Sequence, residues 1–311
     1  MEQKRELKTA VVTGPTGAIG VALCERLLQE GVTVYAVCRP DSPRAQALPT
    51  SEHLRKVVCD AADYGSLQHK ICKADAFFHF AWAHTIGPGR NDMSAQIRNI
   101  EYTINAVHAA KDLGCKIFLG AGSQAEYGRV SGLLRPDTPT FPETGYGMAK
   151  LCAGQMSRVE CQNLGIDHVW ARILSVYGPH DGPATMISST IRTLLAEDVP
   201  KLTAGEQKWD YLYAEDAALA FWSMARSGHN GAVYPLGSGQ ALPLREYIVM
   251  LRDAIDPSLR LGLGEIPYAP LQVMHLQADI STLQQDTGFA PVTDFAQGIR
   301  KTIEWIRSTA K

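Results

Sequence analysis

The sequence predicts an α/β protein with a Rossmann-like, doubly wound parallel sheet and a smaller mixed α/β C-terminal lobe that binds the substrate. Short β-branched runs alternate with amphipathic helical stretches from Lys8 to about Ile173, which is the pattern of a parallel sheet covered by helices. A glycine-rich turn separates the first run from the first helical stretch. With 311 residues, 45% of them hydrophobic, the chain is long enough to bury such a core.

Six strands are predicted between Lys8 and about Ile173, each bounded by turn or helix signals. They are residues 9–13, 33–38, 54–59, 75–82, 116–121 and 167–173. Beyond Tyr177 the rhythm changes, and the sequence predicts a helix at 186–196, a strand near 209–213 and a helix from Glu215 to Arg226. Later segments are rich in proline and glycine.

This change of rhythm predicts the domain organisation. Residues 1–176 are expected to form the domain that contains the sheet, the cofactor site and the catalytic residues. Residues 177–311 are expected to form mainly the substrate-binding lobe, with some segments returning to the first domain.

The composition favours a small-molecule ligand. Lys plus Arg number 30 and Asp plus Glu 32, a net charge of −2 that would not gather nucleic acid or an anionic membrane surface. The seven cysteines show no CxxC spacing and are expected to be reduced thiols. No run of about 18 apolar residues predicts a membrane span. We therefore expect a cytoplasmic protein without a structural metal.

The stretch TGPTGAIG, residues 13–20, is the first candidate site. Gly14, Gly17 and Gly20 follow a predicted strand and open a predicted helix. Glycine suits a tight turn, a close backbone approach to a pyrophosphate and close helix–strand packing, and a helix N-terminus offers free N–H groups to phosphate. A plain glycine-rich turn is the alternative.

Two positions further along bear on the identity of the cofactor. Arg39 follows the second strand, where an NAD-selective domain usually places an acidic residue for the ribose hydroxyl. A guanidinium there favours the 2′-phosphate of NADP, with help from Arg44, although a solvated loop charge would have the same sequence. Asp60 follows the third strand, where it would accept from adenine or cap a helix. NADP(H) is the predicted cofactor and NAD the alternative.

Chemistry is predicted at Tyr146 and Lys150, which are four residues apart and share one face of a helix. A free tyrosine titrates near about 10, and a nearby ammonium favours its phenolate form. Tyr146 would then exchange a proton with a substrate hydroxyl or carbonyl. Ser123 lies just past the fifth strand, at the sheet edge where ligands bind.

These residues stand in a series of motifs that resembles the extended short-chain dehydrogenase/reductase family, in particular its nucleotide-sugar epimerase, dehydratase and 4-ketoreductase branch. The resemblance covers nearly the whole chain. It rests on TGPTGAIG (13–20), Asp60, FHFAWAH (78–84), NIEYTINAVHAAKDLG (99–114), GSQAEYG (122–128), YGMAK (146–150) and RILSVYGP (172–179).

The resemblance implies roles for individual residues. Ser123, Tyr146 and Lys150 would be catalytic, with Lys150 lowering the pKa of Tyr146 and binding the nicotinamide ribose. The implied cofactor-binding residues are Gly14, Thr16, Gly17, Ala18, Ile19, Arg39, Asp60, Ala61, Ala81, Tyr146, Lys150 and Ile173. The implied substrate-binding residues are Trp82, His84, Ser123, Gln124, Tyr146, Ser175 and Trp209. Relatives also form dimers through helices that correspond to residues 91–112 and 146–164, so a homodimer is expected.

The chain departs from this family at four places. Gln124 and Ala125 stand where the resembling 4,6-dehydratases carry the Asp-Glu pair for water elimination, and Glu126 is one position too late, so we do not expect elimination. Ser175 replaces an asparagine that contacts the sugar nucleotide, and Trp209 replaces an arginine that grips the diphosphate. A second phosphate-binding arginine is also missing near Ala269, and three basic residues are candidates to compensate: Arg192, Lys201 and Lys208.

The leading functional expectation is NADP(H)-dependent reduction of the 4-keto group of a nucleotide-linked deoxy sugar. The alternative is a nucleotide-sugar 4-epimerase, which returns the hydride to the other face of the sugar. A reductase of a carbonyl compound without a nucleotide, and a dinucleotide sensor that does no chemistry, are two weaker alternatives.

Overall fold

The computed structural model describes residues 4–309. Its strands are β1 (Thr9–Thr13), β2 (Thr33–Cys38), β3 (Leu54–Val58), β4 (Ala76–His79), β5 (Ile117–Ser123), β6 (Asp167–Ile173), β7 (Ser175–Tyr177), β8 (Lys201–Leu202), β9 (Lys208–Trp209), β10 (Tyr211–Tyr213), β11 (Ala232–Leu236), β12 (Leu242–Pro243), β13 (Gly262–Leu263) and β14 (His275–Leu276).

The helices connect these strands. They are α1 (Ala18–Gln29), α2 (Met93–Asp112), α3 (Gly145–Leu164), α4 (Met186–Leu195), α5 (Ala214–Ser227), α6 (Leu244–Ile255), α7 (Ser281–Thr287) and α8 (Phe295–Thr309). Short 3₁₀ turns cover four further segments: Pro43–Ala47, Ala61–His69, Gly87–Asn91 and Gln124–Glu126.

The main sheet has seven parallel strands in the order β11-β6-β5-β4-β1-β2-β3. Helices α1 and α5 pack on one face and α2 and α3 on the other, so both faces are buried, as a parallel sheet requires. The predicted fold class is confirmed. The order of the strands reverses between β1 and β4, and ligands bind at such a switch point in open α/β sheets.

The seventh strand, β11, was not predicted as a strand. It pairs with β6 at the edge of the sheet and places Pro235 opposite Arg172. Proline lacks the N–H that a central strand needs, and an edge strand tolerates it. Residues 232–236 therefore belong to the main sheet, although they lie beyond residue 176. The division at residue 176 stays a prediction.

The remaining C-terminal segments form a lobe beyond the carboxyl edge of the sheet. Helices α4, α6 and α8 enclose an apolar cluster that includes Ile187, Leu251 and Ile303. Phe295 lies at its aromatic centre, with its ring centroid 4.9 Å from that of Tyr177 and 4.6 Å from that of Tyr247. The strands of this lobe contain only two or three residues each, which is too short for a periodicity to be visible in the sequence.

Candidate functional site

The glycine loop lies at the switch point between β1 and β4. Gly14 has φ +66°, and a Cβ built on it would lie 2.7 Å from the backbone nitrogen of Ala81. A Cβ on Gly20 would collide with the carbonyl oxygen of Gly14 and lie 2.7 Å from the carbonyl carbon of Pro15. The first and third glycines therefore let two backbone segments and helix α1 approach closely.

The middle glycine has a different environment. Gly17 is the N-cap residue of α1 and provides no side-chain cap, and the first turn of the helix carries no acidic residue. A Cβ on Gly17 would have no neighbour closer than the Gly14 oxygen at 4.0 Å. Space thus remains in front of the N–H groups of the first helical turn, which no side chain caps, at the positive end of the helix dipole. This environment fits the pyrophosphate of a dinucleotide.

A cleft of about 310 Å³ runs from this loop to the predicted catalytic residues. Ser123, Tyr146 and Lys150 line its far end, and Gly14, Gly17, Ala18, Ile19, Trp82 and Ile173 line the rest together with residues that the sequence analysis did not single out, including Thr85 and Asp181. The structure thus brings the predicted catalytic group and most of the predicted cofactor residues into one cavity.

Ser123 is held by a tight turn. Its hydroxyl accepts from the Ala125 backbone N–H at 3.2 Å, while its own N–H donates to Oε1 of Glu126 at 2.8 Å. Glu126 is fully buried and paired with Arg172 at 2.8 Å, and it accepts from Trp170 Nε1 at 3.0 Å. The carboxylate is therefore fully engaged in positioning Ser123.

Tyr146 is surrounded by groups with opposing effects on its ionisation. Burial raises the pKa of its phenol above the usual value, and the negative charge of Glu126 acts in the same direction. A hydrogen bond with the Ser123 side chain and the positive charge of Arg90 lower that pKa. The Arg90 guanidinium lies over the Tyr146 ring, with its Cζ 4.7 Å from the ring centroid.

Lys150 differs from its expected role in one respect. Its Nζ donates to the Ala121 carbonyl oxygen at 2.6 Å and lies 3.6 Å from the Trp82 ring centroid, but 5.9 Å from that of Tyr146. Burial lowers the pKa of the Lys150 ammonium to about 7. The cation that lowers the pKa of Tyr146 in this structure is Arg90, because Lys150 is drawn to a carbonyl and an indole face.

Not all residues that were predicted to line the sugar pocket face the cleft. The Trp82 indole crosses the Tyr146 ring edge-to-face at 6.2 Å and donates from Nε1 to Oε1 of Gln96 at 2.9 Å. His84 is exposed with φ +58°, and its ring lies against Gly89 rather than along the cleft. Gln124 is half-buried beside Ser123 but does not line the cleft.

At the adenosine end of the predicted cofactor site, Arg39 is exposed and forms no ion pair or hydrogen bond within residues 4–309. Arg44 donates instead to the backbone carbonyl of His180. Asp60 caps the 3₁₀ turn that begins at Ala61, accepting from the Ala62 N–H at 3.0 Å. Asp60 therefore has the capping role that the sequence analysis left open, and its exposed carboxylate remains accessible.

Thr16 lies within the glycine loop, and Ala81 lies in the segment that packs against it. Thr16 is half-buried in the loop without lining the cleft. The Ala81 N–H lies 3.4 Å from the Thr13 hydroxyl, which ties the segment after β4 to the end of β1.

The two substituted substrate positions are in direct contact. Trp209 Nε1 donates to Ser175 Oγ at 2.8 Å. Trp209 also lines a second cavity of about 390 Å³ between α4 and α6, in which Lys201 is the one charged lining residue in the described chain. Gln207 in the same wall keeps Oε1 buried without a hydrogen-bond partner among residues 4–309. This cavity is therefore lined mainly by apolar atoms and carries a single charged side chain among the described residues.

The described residues contain neither a metal-binding cluster nor a membrane-spanning helix. Within residues 4–309, no group of three or more His, Cys, Asp or Glu side chains is arranged to hold a metal ion. None of the helices in this range is both long and apolar enough to cross a membrane.

Comparison with known proteins adds a family match. Residues 10–237 match the model of the NAD dependent epimerase/dehydratase family. A dTDP-glucose 4,6-dehydratase of Streptomyces griseus is 25% identical over 312 residues, covering 95% of this chain and 93% of the relative.

Solved structures are similar over nearly the whole chain. A UDP-N-acetylglucosamine 4-epimerase from Methanobrevibacter ruminantium M1, in complex with UDP-N-acetylmuramic acid, has a TM-score of 0.85 at 24% identity and covers 99% of both chains. A UDP-glucuronic acid 4-epimerase from Bacillus cereus, in complex with UDP-glucuronic acid and NAD, has a TM-score of 0.84 at 22% identity and covers 96% of this chain and 99% of its own. These likenesses show the fold.

The low pKa of Lys150 makes stability depend on pH. Between about 7 and the ordinary lysine value of about 10.4, the unfolded chain binds this proton and the folded chain does not, so the free energy of unfolding rises with pH. Relative to Lys150→Met, wild-type protein without cofactor should therefore gain stability from about pH 7 to about pH 9.5, as measured by urea unfolding at several pH values.

Lys73→Met, at an exposed lysine, is the matched control and should show no such trend. A stability difference between wild type and Lys150→Met that stays constant with pH would contradict a charge-disfavouring site at Lys150.

Proposed function

The chain belongs to the NAD dependent epimerase/dehydratase family, within the extended short-chain dehydrogenases/reductases, and is an NAD(P)-dependent enzyme; from this we propose that it reduces the 4-keto group of a nucleotide-linked sugar with NADPH. The observation that carries the proposal is the convergence of Ser123, Tyr146 and Lys150 on the glycine-loop cleft. Retention of all three residues disfavours a dinucleotide sensor that does no chemistry.

The residues divide the work of proton transfer. The Ser123 hydroxyl, fixed by the turn that follows it, holds the reacting oxygen of the sugar beside Tyr146. Tyr146 donates its phenolic proton to that oxygen during reduction and takes a proton back in the reverse direction. When bound, the nicotinamide supplies the hydride. Lys150, whose ammonium now contacts the Ala121 carbonyl, is the residue available to bind the ribose.

Elimination is disfavoured at this site, although the dehydratase relative carries that activity in its name. Gln124 and Ala125 cannot exchange the proton that loss of water requires. Glu126 is the nearest carboxylate in sequence, but it is fully buried and satisfied by Arg172, Trp170 and the Ser123 N–H. A carboxylate engaged in this way is a structural anchor and does not act as a catalytic acid.

The second candidate function is 4-epimerisation of a nucleotide sugar. It is favoured by the family description and by the two 4-epimerases of closely similar fold. An epimerase removes and returns the same hydride, which suits a permanently held oxidised cofactor. A reductase exchanges its cofactor with the cellular pool at each turnover.

The substrate's nucleotide would occupy the second cavity, which Trp209 lines. Of the three basic residues named as replacements for the missing arginines, Lys201 lines this cavity. Arg192 retains a buried Nε without a hydrogen-bond partner among the described residues. Lys208 is exposed on β9 and lies outside the cavity lining. We therefore assign the diphosphate contact to Lys201, because Arg192, like Lys208, lies outside the cavity lining.

A panel of nucleotide sugars separates the candidate reactions. Purified protein is incubated with CDP-, GDP-, UDP- and dTDP-linked 4-keto sugars and NADPH, and cofactor oxidation is followed at each. We expect turnover with one base and loss of more than about 99% of it in Tyr146→Phe, because one proton-transfer group is removed, while NADPH binding persists.

Nucleotide released on denaturation distinguishes the two activities. An empty site with tighter binding of NADPH supports the reductase, and stoichiometric NAD⁺ with interconversion of 4-epimers supports the epimerase. Full activity in Tyr146→Phe would contradict both mechanisms. Turnover of a carbonyl compound without a nucleotide, with no stabilisation by any nucleotide sugar, would contradict the substrate class.

Cofactor preference is tested at Arg39. Removing the guanidinium in Arg39→Gln should weaken NADPH binding by about ten- to a hundredfold, the range expected for charge-assisted hydrogen bonds of about 1.5–3 kcal/mol, and leave NADH binding within about twofold. Dissociation constants from isothermal titration check this. Arg55→Gln, which removes the same charge near the start of strand β3, is the matched control, and equal losses for both cofactors would contradict NADP selectivity.

The expected homodimer has a candidate surface on helices α2 and α3. Their exposed apolar residues are Met93, Ile97, Met148, Met156 and Val159. Met148, Met156 and Val159 follow a spacing that places them on one face of α3, and His108 on α2 lies 3.0 Å from Glu160 on α3. We propose that a second copy of the chain covers this face, and that the enzyme works in the cytoplasm.

Sedimentation velocity tests this surface. Met156→Lys should convert dimer to monomer at micromolar concentration, because a charge would be buried at the centre of the contact. Val292→Lys places the same charge at an exposed valine elsewhere and should leave the dimer intact. A wild-type protein that sediments as a monomer would contradict the assembly.

A further inference from the structure

We propose that Arg90 is a positioning residue for proton transfer, a permanently charged guanidinium stacked on Tyr146 that favours the ionised form of the phenol. The inference rests on the proposed role of Tyr146 as the proton-transfer group. It assigns this electrostatic effect to Arg90 rather than to Lys150 of the YxxxK motif.

The contact is direct and its charge is not neutralised. The Cζ of Arg90 lies 4.7 Å from the centre of the Tyr146 ring, within cation–π range. Its Nε is buried and has no hydrogen-bond partner within residues 4–309, and no ion pair of Arg90 is found in that range. Because no carboxylate in the described chain pairs with this positive charge, it is free to act on the phenol.

The loop that carries Arg90 is fixed to the helix that carries Tyr146. The adjacent residue, Asn91, accepts the Gly145 N–H on Oδ1 at 2.9 Å. A Cβ on Gly145 would lie 3.1 Å from the Arg90 carbonyl oxygen, so the loop and the start of α3 approach closely. Gln96 on α2 donates from Nε2 to the Gly89 carbonyl at 3.2 Å. The position of Arg90 over the ring is therefore built into the fold.

No other charged group facing Tyr146 in the described chain supplies a constant positive field. Lys150, on the same helix, has an ammonium that burial brings to a pKa of about 7, and its Nζ is directed to Ala121. Glu126 opposes phenolate formation, and the Ser123 side chain supports it through a neutral hydrogen bond. An arginine stays charged at every working pH, so Arg90 provides a constant positive field.

The test measures ionisation of Tyr146 directly, without substrate. Protein labelled with ¹³C at tyrosine Cζ is titrated by NMR, and the signal absent from Tyr146→Phe is assigned to Tyr146. In Arg90→Gln this signal should titrate at higher pH than in wild type. The phenolate population at a given pH should be lower by about tenfold, since an opposite charge at this range shifts a pKa by at least about one unit.

Two further variants sharpen the result. Arg90→Lys keeps the charge and should recover most of the wild-type titration. Arg55→Gln removes a guanidinium that lies 5.9 Å from the Tyr35 ring and should leave the Tyr146 titration unchanged. An Arg90→Gln protein that titrates like wild type would overturn the proposal, and so would an equal shift in Arg55→Gln.

Kinetics give a second, independent outcome. In the direction of alcohol oxidation, where Tyr146 accepts the proton, kcat of Arg90→Gln should fall about tenfold near neutral pH and approach wild type at high pH. A pH-independent loss would overturn the electrostatic role.

The two proposals fail separately. If the titration shifts in Arg90→Gln but no nucleotide sugar is turned over, the proposed function is wrong and the role of Arg90 stands. If nucleotide sugars are turned over but the titration does not shift, the proposed function stands and the role of Arg90 is wrong.

Discussion

The rest of the site depends on one close approach between backbone segments at the switch point of the sheet. Gly14 leaves β1 with a positive φ, and the segment after β4 passes so near that any Cβ would contact the Ala81 nitrogen. That contact directs the chain after β4 along the carboxyl edge of the sheet. Trp82 then reaches Tyr146 and Lys150. One steric constraint therefore shapes both the glycine-loop end of the cleft and the end lined by Tyr146 and Lys150.

A buried ion pair positions the predicted catalytic residue Ser123 on the other side of the cleft. Glu126 and Arg172 would be costly to bury separately, and together with the Trp170 N–H they are satisfied. The pair closes the turn that begins at Ser123, so the hydroxyl is fixed by its own backbone. The segment Ser123 to Glu126 thus contains no free acid for elimination, and instead holds a rigid hydrogen-bonding hydroxyl. This arrangement is consistent with hydride and proton transfer without loss of water.

Features that depend on local spacing could be predicted from the sequence. The glycine loop, the Tyr146–Lys150 pair, the position of Ser123 and six of the seven strands of the main sheet all follow from short-range patterns, and the structure places them together. The edge strand β11 was missed because Pro235 disfavours a strand assignment. Arg90 was missed because a loop arginine shows nothing in sequence about the ring it covers. The contact of Lys150 with the Ala121 carbonyl likewise depends on tertiary packing that no spacing rule describes.

Charge is distributed unequally between the two cavities. The glycine-loop cleft is lined by Lys150 and Asp181, and Arg90 is stacked on Tyr146, whereas the second cavity has Lys201 as its one charged lining residue in the described chain. Trp209 stands where the resembling enzymes carry an arginine that binds the diphosphate. Its indole N–H donates to Ser175 Oγ. The two replacements therefore belong together, because the larger indole packs beside a small residue that carries an acceptor. Exchanging a guanidinium for an indole replaces ionic attraction by apolar and stacking contact. Recognition at this end would therefore depend on the shape of the base and sugar more than on the charge of the diphosphate.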